Sequence, residues 1–98
     1  MRNVEDTYTN IPTIFEIKIR EHGWIHDVHL HLSTEAEPIP VEWKGYVRYK
    51  DGHRCSIFKL HYTFKNAMSK QEAVFHYSIE GIEHVCESIV FDVYELYE

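Results

Sequence analysis

Histidine is the residue type in this chain best suited to chemistry, with eight copies among 98 residues. His29 and His31 stand two apart in Ile25–Leu32, a run whose alternation reads as a strand, so both leave the same face, together with Asp27. His61, on another predicted strand and also facing outward, is the natural third ligand. Imidazole nitrogens with a carboxylate would suit zinc. No His-Glu-x-x-His pattern and no paired Cys ligands accompany them, however. The simpler account is solvated strand residues, with His29 opposite Glu16, so neither metal nor cofactor is expected.

Nucleophilic chemistry has less to stand on. Cys55 adjoins Arg54, which would favour a thiolate, but no local sequence supplies a base. His84 and Cys86 lie on a predicted helix at a spacing that points them apart. The four glycines are scattered, so there is no phosphate-cradling loop. Two cysteines far apart read as free thiols in a reducing compartment. The expectation is a protein that binds rather than an enzyme.

The elements that must carry these residues come from period and turn signals. Ile11–Arg20 and Ile25–Leu32 read as a hairpin turning at His22-Gly23, with Ile17 opposite Val28 and Phe15 opposite Leu30. One face then gathers Thr13, Phe15, Ile17, Ile19, Val28, Leu30 and Leu32. Val41–Lys50 and His53–Phe64 form a second hairpin about Asp51-Gly52, read as a two-residue type I′ turn. That register opposes Trp43 with Leu60 and Gly45 with Phe58. Its inner face holds Val41, Trp43, Val47, Tyr49, Phe58, Leu60 and Tyr62, and Ser33–Pro40 between the hairpins is a loop.

Further along, Ser69-Lys70-Gln71-Glu72 matches a capping box. Ala73, Val74, Tyr77, Ser78, Gly81, Ile82, Val85 and Ile89 follow at helical spacing, which predicts a helix over 70–89. A strand breaking at Glu80-Gly81 before a shorter helix is the competing reading. Val90–Tyr97 reads as a terminal strand. The sum is a single α+β domain over 1–98: an antiparallel sheet of four to five strands, two hairpins plus a C-terminal strand, with one helix packed on one face.

Charge suggests what such a domain binds. The formal net charge is −6, yet all ten Lys and Arg lie at or before Lys70, while Gln71–Glu98 holds seven acidic side chains and no Lys or Arg. On the predicted helix Glu72, His76, Glu80, Glu83 and Glu87 make an acidic stripe flanked by Phe75 and Ile79. Apolar anchors beside carboxylates fit a basic protein partner, anchors for affinity and charges for steering. An inhibitor or immunity-type protein that covers a nucleic-acid-handling protein is the expected setting. The alternative is a single-stranded nucleic-acid-binding module on the open sheet face, through Tyr46, Lys44, Arg48 and Lys59, with Lys18 and Arg20 nearby. A homodimer through the terminal strand as a free edge is a further expectation. Met1–Asp6 carries no apolar leader and no segment is long enough to span a membrane, so a cytoplasmic location is expected.

Overall fold

The computed structural model describes residues 2–3 and 7–97, and among these there is no helix. The chain is all-β, which overturns the α+β expectation. Its strands are β1 (Arg2–Asn3), β2 (Thr7–Tyr8), β3 (Thr13–Arg20), β4 (Ile25–Leu32), β5 (Ile39–Pro40), β6 (Glu42–Arg48), β7 (Arg54–Tyr62), β8 (Met68–Ile79), β9 (Ile82–Val85) and β10 (Ile89–Tyr94). They form a seven-stranded sheet in the order β1-β10-β8-β4-β5, with β2 on β10 and β9 on β8, and a three-stranded sheet in the order β3-β7-β6. The larger sheet is mixed, because β1 and β2 run parallel to β10. No helix among the described residues is long and apolar enough to cross a membrane. The reading of Met1 and Val4–Asp6 lies outside the described residues.

The first expected hairpin does not form. Its two strands exist, but β3 pairs with β7 and β4 pairs with β8, in different sheets. Glu21–Trp24 carries the chain across from one sheet to the other. The predicted apolar face is nonetheless the inward one: Phe15 and Ile19 from β3 meet Val28, Leu30 and Leu32 from β4 in one core. Side by side in a hairpin, these faces would still need a cover. Face to face across two sheets, each covers the other. Phe15, Phe64 and Phe91 interlock at this centre, with ring centroids 5.6–6.5 Å apart.

The second hairpin forms with a different turn. Gly52 N–H donates to the Tyr49 carbonyl and Tyr49 N–H to that of His53, which closes a three-residue loop with Gly52 at φ +93°. Asp51 keeps a negative-φ backbone, so Asp-Gly supplies a turn with a bulge rather than the two-residue type I′ form. The pairing slips accordingly: Tyr46 lies opposite Ser56 and Arg48 opposite Arg54, and after a bulge at Lys44, Trp43 lies opposite Phe58. Phe58 is buried as expected, whereas Trp43 and Tyr49 remain exposed.

The predicted helix is two strands. Ala73 and Phe75 are fully buried and Tyr77 and Ile79 partly so, while Glu72, Val74, His76 and Ser78 alternate with them. This period of two was available in the same residues that also matched a helical spacing. Val, Phe, Tyr and Ile favour the extended form. The supposed capping box is used differently, since Glu72 N–H donates to the Ser33 hydroxyl and Lys70 N–H to Asp92. After Ile79 the chain turns at Glu80 and Gly81, both with positive φ (49° and 81°), and returns as β9. Neither the single helix nor the strand followed by a shorter helix anticipates that return strand. The terminal strand is present as β10, but β8 flanks one side and β1 and β2 the other, so it is not a free edge.

Candidate functional site

The β8–β9 hairpin carries six of the seven residues expected at a partner surface, Glu87 lies in the link to β10, and extended chain sorts them differently from a helix. Phe75 is 3% exposed and belongs to the core; it cannot anchor a partner. Ile79 is half-buried beside Ile25. Glu72, Glu80, Glu83 and Glu87 are exposed, and His76 is half-buried on the outer face. There is therefore no acidic helical stripe flanked by Phe75 and Ile79. The apolar groups that do face water are Ile82 (66%) and Val85 (58%), on β9, where all four residues are exposed. Sequence reasoning missed them because helical spacing assigned both to the buried face.

Glu80 has a structural duty as well as a charge. Its carboxylate accepts from Trp24 N–H at 2.7 Å, and its own N–H donates to the Trp24 carbonyl at 2.9 Å. Gly81 N–H donates to His26 Nε2 at 3.1 Å. The hairpin turn is thus tied to the Glu21–Trp24 link and the start of β4. Beyond the turn, Cys86 N–H donates to the Phe75 carbonyl at 2.9 Å. Alternation in an antiparallel ladder then aims the N–H and C=O groups of Glu83 and Val85 away from β8. Among the described residues no strand pairs with that side of β9. Burial pushes the Cys86 thiol above its ordinary range, and burial followed by Cys86 does the same to the Tyr77 phenol.

The histidines are rearranged too. His29 and His31 share the outer face of β4, as their spacing requires, because Val28, Leu30 and Leu32 point inward. His61 lies on β7, in the other sheet, and does not join them. His76 does: it pairs directly with His29 across β4 and β8. One ligand atom from each of His29, His31 and His76 lies within 4.8 Å of the other two. Ring centroids are 4.1 Å apart for His31 and His76, 4.9 Å for His29 and His31, and 5.3 Å for His29 and His76. Asp27, expected beside them as a ligand, directs its carboxylate to His26 Nδ1 instead, at 2.7 Å. Partial loss of hydration, then His76 and His29, holds His31 below the ordinary imidazole range, against a weaker opposing pull from Glu83. Had 70–79 been read as a strand, the inward alternation of Ala73, Phe75, Tyr77 and Ile79 would have placed His76 outside.

The basic sheet face is divided by the register of β6. Lys44 and Lys59 stay together around Glu42, with Lys44 Nζ 2.8 Å from the carboxylate and Lys59 directly opposite Glu42. Tyr46 and Arg48, opposite Ser56 and Arg54, share those residues' face and leave the other way. Arg54 lies over the Tyr46 ring at 4.8 Å. The four expected nucleic-acid contacts therefore do not form one surface.

Compared with family models, curated proteins and solved structures, the chain matches none. The class its geometry defines is a small two-sheet β-protein with an acidic, exposed edge strand.

Proposed function

We propose that the chain is a non-enzymatic binding protein that engages a basic, extended segment of a partner protein along β9. The observation that carries this reading is an edge strand with every residue exposed, two of them apolar, in the part of the chain that has acidic but no Lys or Arg side chains. An added strand would gain main-chain hydrogen bonds from Glu83 and Val85. Ile82 and Val85 supply apolar contact, and Glu80, Glu83 and Glu87 supply attraction and orientation. A second copy is a poorer occupant, because it would bring like charges together. A partner that handles nucleic acid suits this charge pattern, since carboxylates replace phosphates electrostatically. The free thiols of Cys55 and Cys86 fit a reducing, cytoplasmic setting. The single-stranded nucleic-acid reading has no comparable support, as its contacts divide between two faces.

The test is a fluorescence-anisotropy titration with extended peptides alternating Lys and Val, against peptides alternating Glu and Val. The Lys peptide is expected to bind and to weaken as salt rises. Val85→Pro removes one of the two outward donors of β9 and none that bonds β8, and should markedly weaken that binding while the protein stays folded. Equal binding of both peptides, or binding indifferent to Val85→Pro, would refute the proposal.

A further inference from the structure

The three imidazoles on the outer face of β4 and β8 lie beyond anything the partner-binding reading requires. Three features distinguish them from histidines that merely happen to be close. First, they stand on adjacent, directly paired strands, so their Cα positions are held by the sheet rather than by loops. Second, their ligand atoms fall within 4.8 Å of one another. Four ligands around zinc at ordinary Zn–N bond lengths place nitrogens about 3.3 Å apart, so binding requires the rings to close by no more than about 1.5 Å. Third, one tautomer is already set. His29 Nδ1 lies 2.8 Å from the Asp27 carbonyl, which can only accept, so Nδ1 carries the proton and Nε2 presents its lone pair.

Asp27 is positioned for that task by the backbone. It has φ +54° and lies where the β4–β8 register shifts, between His26 and His29. Such a bulge re-aims the groups beside it. Here it turns a carbonyl onto the ring of His29, while the Asp27 carboxylate is engaged by His26. Glu83 Oε1 stands 3.9 Å from His76 Nδ1, at the side of the cluster.

We propose that His29, His31 and His76 bind one divalent late first-row transition ion of the zinc class, through three imidazole nitrogens, with the remaining position open to water beside Glu83. The donor set selects the class. Imidazole suits zinc, copper, nickel and cobalt, whereas calcium and magnesium require oxygen ligands. Three protein ligands rather than four leave the ion an exchangeable site. The inference does not depend on β9 binding a partner.

The test uses full-length protein without a histidine tag, treated with chelator and titrated with Zn2+ by isothermal calorimetry. One ion per chain is expected. His31→Ala and His76→Ala should each weaken binding about a hundredfold or abolish it, since each removes one of only three ligands. His61→Ala, on the other sheet, and His84→Ala, whose ring stacks on Tyr77, should leave it unchanged. Imidazole 15N NMR of the unmutated chain gives a readout independent of whether a variant folds: zinc should shift one nitrogen in each of His29, His31 and His76 and in no other histidine. Absence of binding would overturn the proposal. So would several weak ions per chain, or shifts spread over all eight histidines.

Discussion

Replacing Gly23 with alanine should destabilise the protein through a residue 57 positions away, Glu80. A Cβ built on Gly23 would lie 2.7 Å from Glu80 Cγ and 2.9 Å from Oε1, closer than real Cβ contacts. Gly23 has no positive φ, so the effect is steric rather than conformational. The Glu80 side chain must move, and its Oε1 then loses the 2.7 Å hydrogen bond from Trp24 N–H. A hydrogen bond to a charged group contributes about 1.5–3 kcal/mol, and exposure of this one brings the expected loss to about 1–1.5 kcal/mol. For a domain of this size that is a fall in Tm of roughly 4–12 °C. Glu80→Ala should cost a similar amount. The double variant should cost no more than Glu80→Ala alone, because the clash and the hydrogen bond vanish together. Urea unfolding followed by far-UV circular dichroism measures all three, and a double-mutant cycle gives the coupling. Additive losses, or a Gly23→Ala protein as stable as its parent, would refute the tie between the two connections.

Three other outcomes follow from the same structure. Phe75→Ala should cost about 3–5 kcal/mol in urea unfolding, while Ile82→Ala should stay within about 0.5 kcal/mol; the reverse order would mean the hairpin faces the other way. Asp51 accepts from the backbone N–H and then the ring of His53, which holds its carboxyl below the ordinary aspartate range. Its contribution to the turn is therefore present above that range and fades as pH falls through the lowered value. An NMR titration of the His53 amide should show a midpoint below that of an ordinary aspartate, and a midpoint at or above it would count against the contact. Burial raises the Cys86 thiol, so at neutral pH it should react with iodoacetamide more slowly than free cysteine does, as measured by mass spectrometry of the labelled peptide. Equal rates would show that residue 86 is open to solvent.

The sequence by itself determined which side of β3 and of β4 is apolar. Phe15, Ile19, Val28, Leu30 and Leu32 are buried, as their alternation demanded, and Asp51-Gly52 marks a real turn. His29 and His31 were bound to share a face for the same reason. Partner choice was decided only by the tertiary structure. A period of two states where side chains point, but not whether the opposing apolar face lies beside the strand or across the core. For β3 and β4 it lies across. Residues 70–79 satisfied both periods, and the long-range ladders that β8 makes with β4 and β10 settled the choice in favour of strand. The same ladder set His76 opposite His29 and buried Phe75, so the histidine cluster exists only once two distant segments are paired. Local spacing carries no information about such a register, because the free energy that selects it comes from contacts between segments rather than within them.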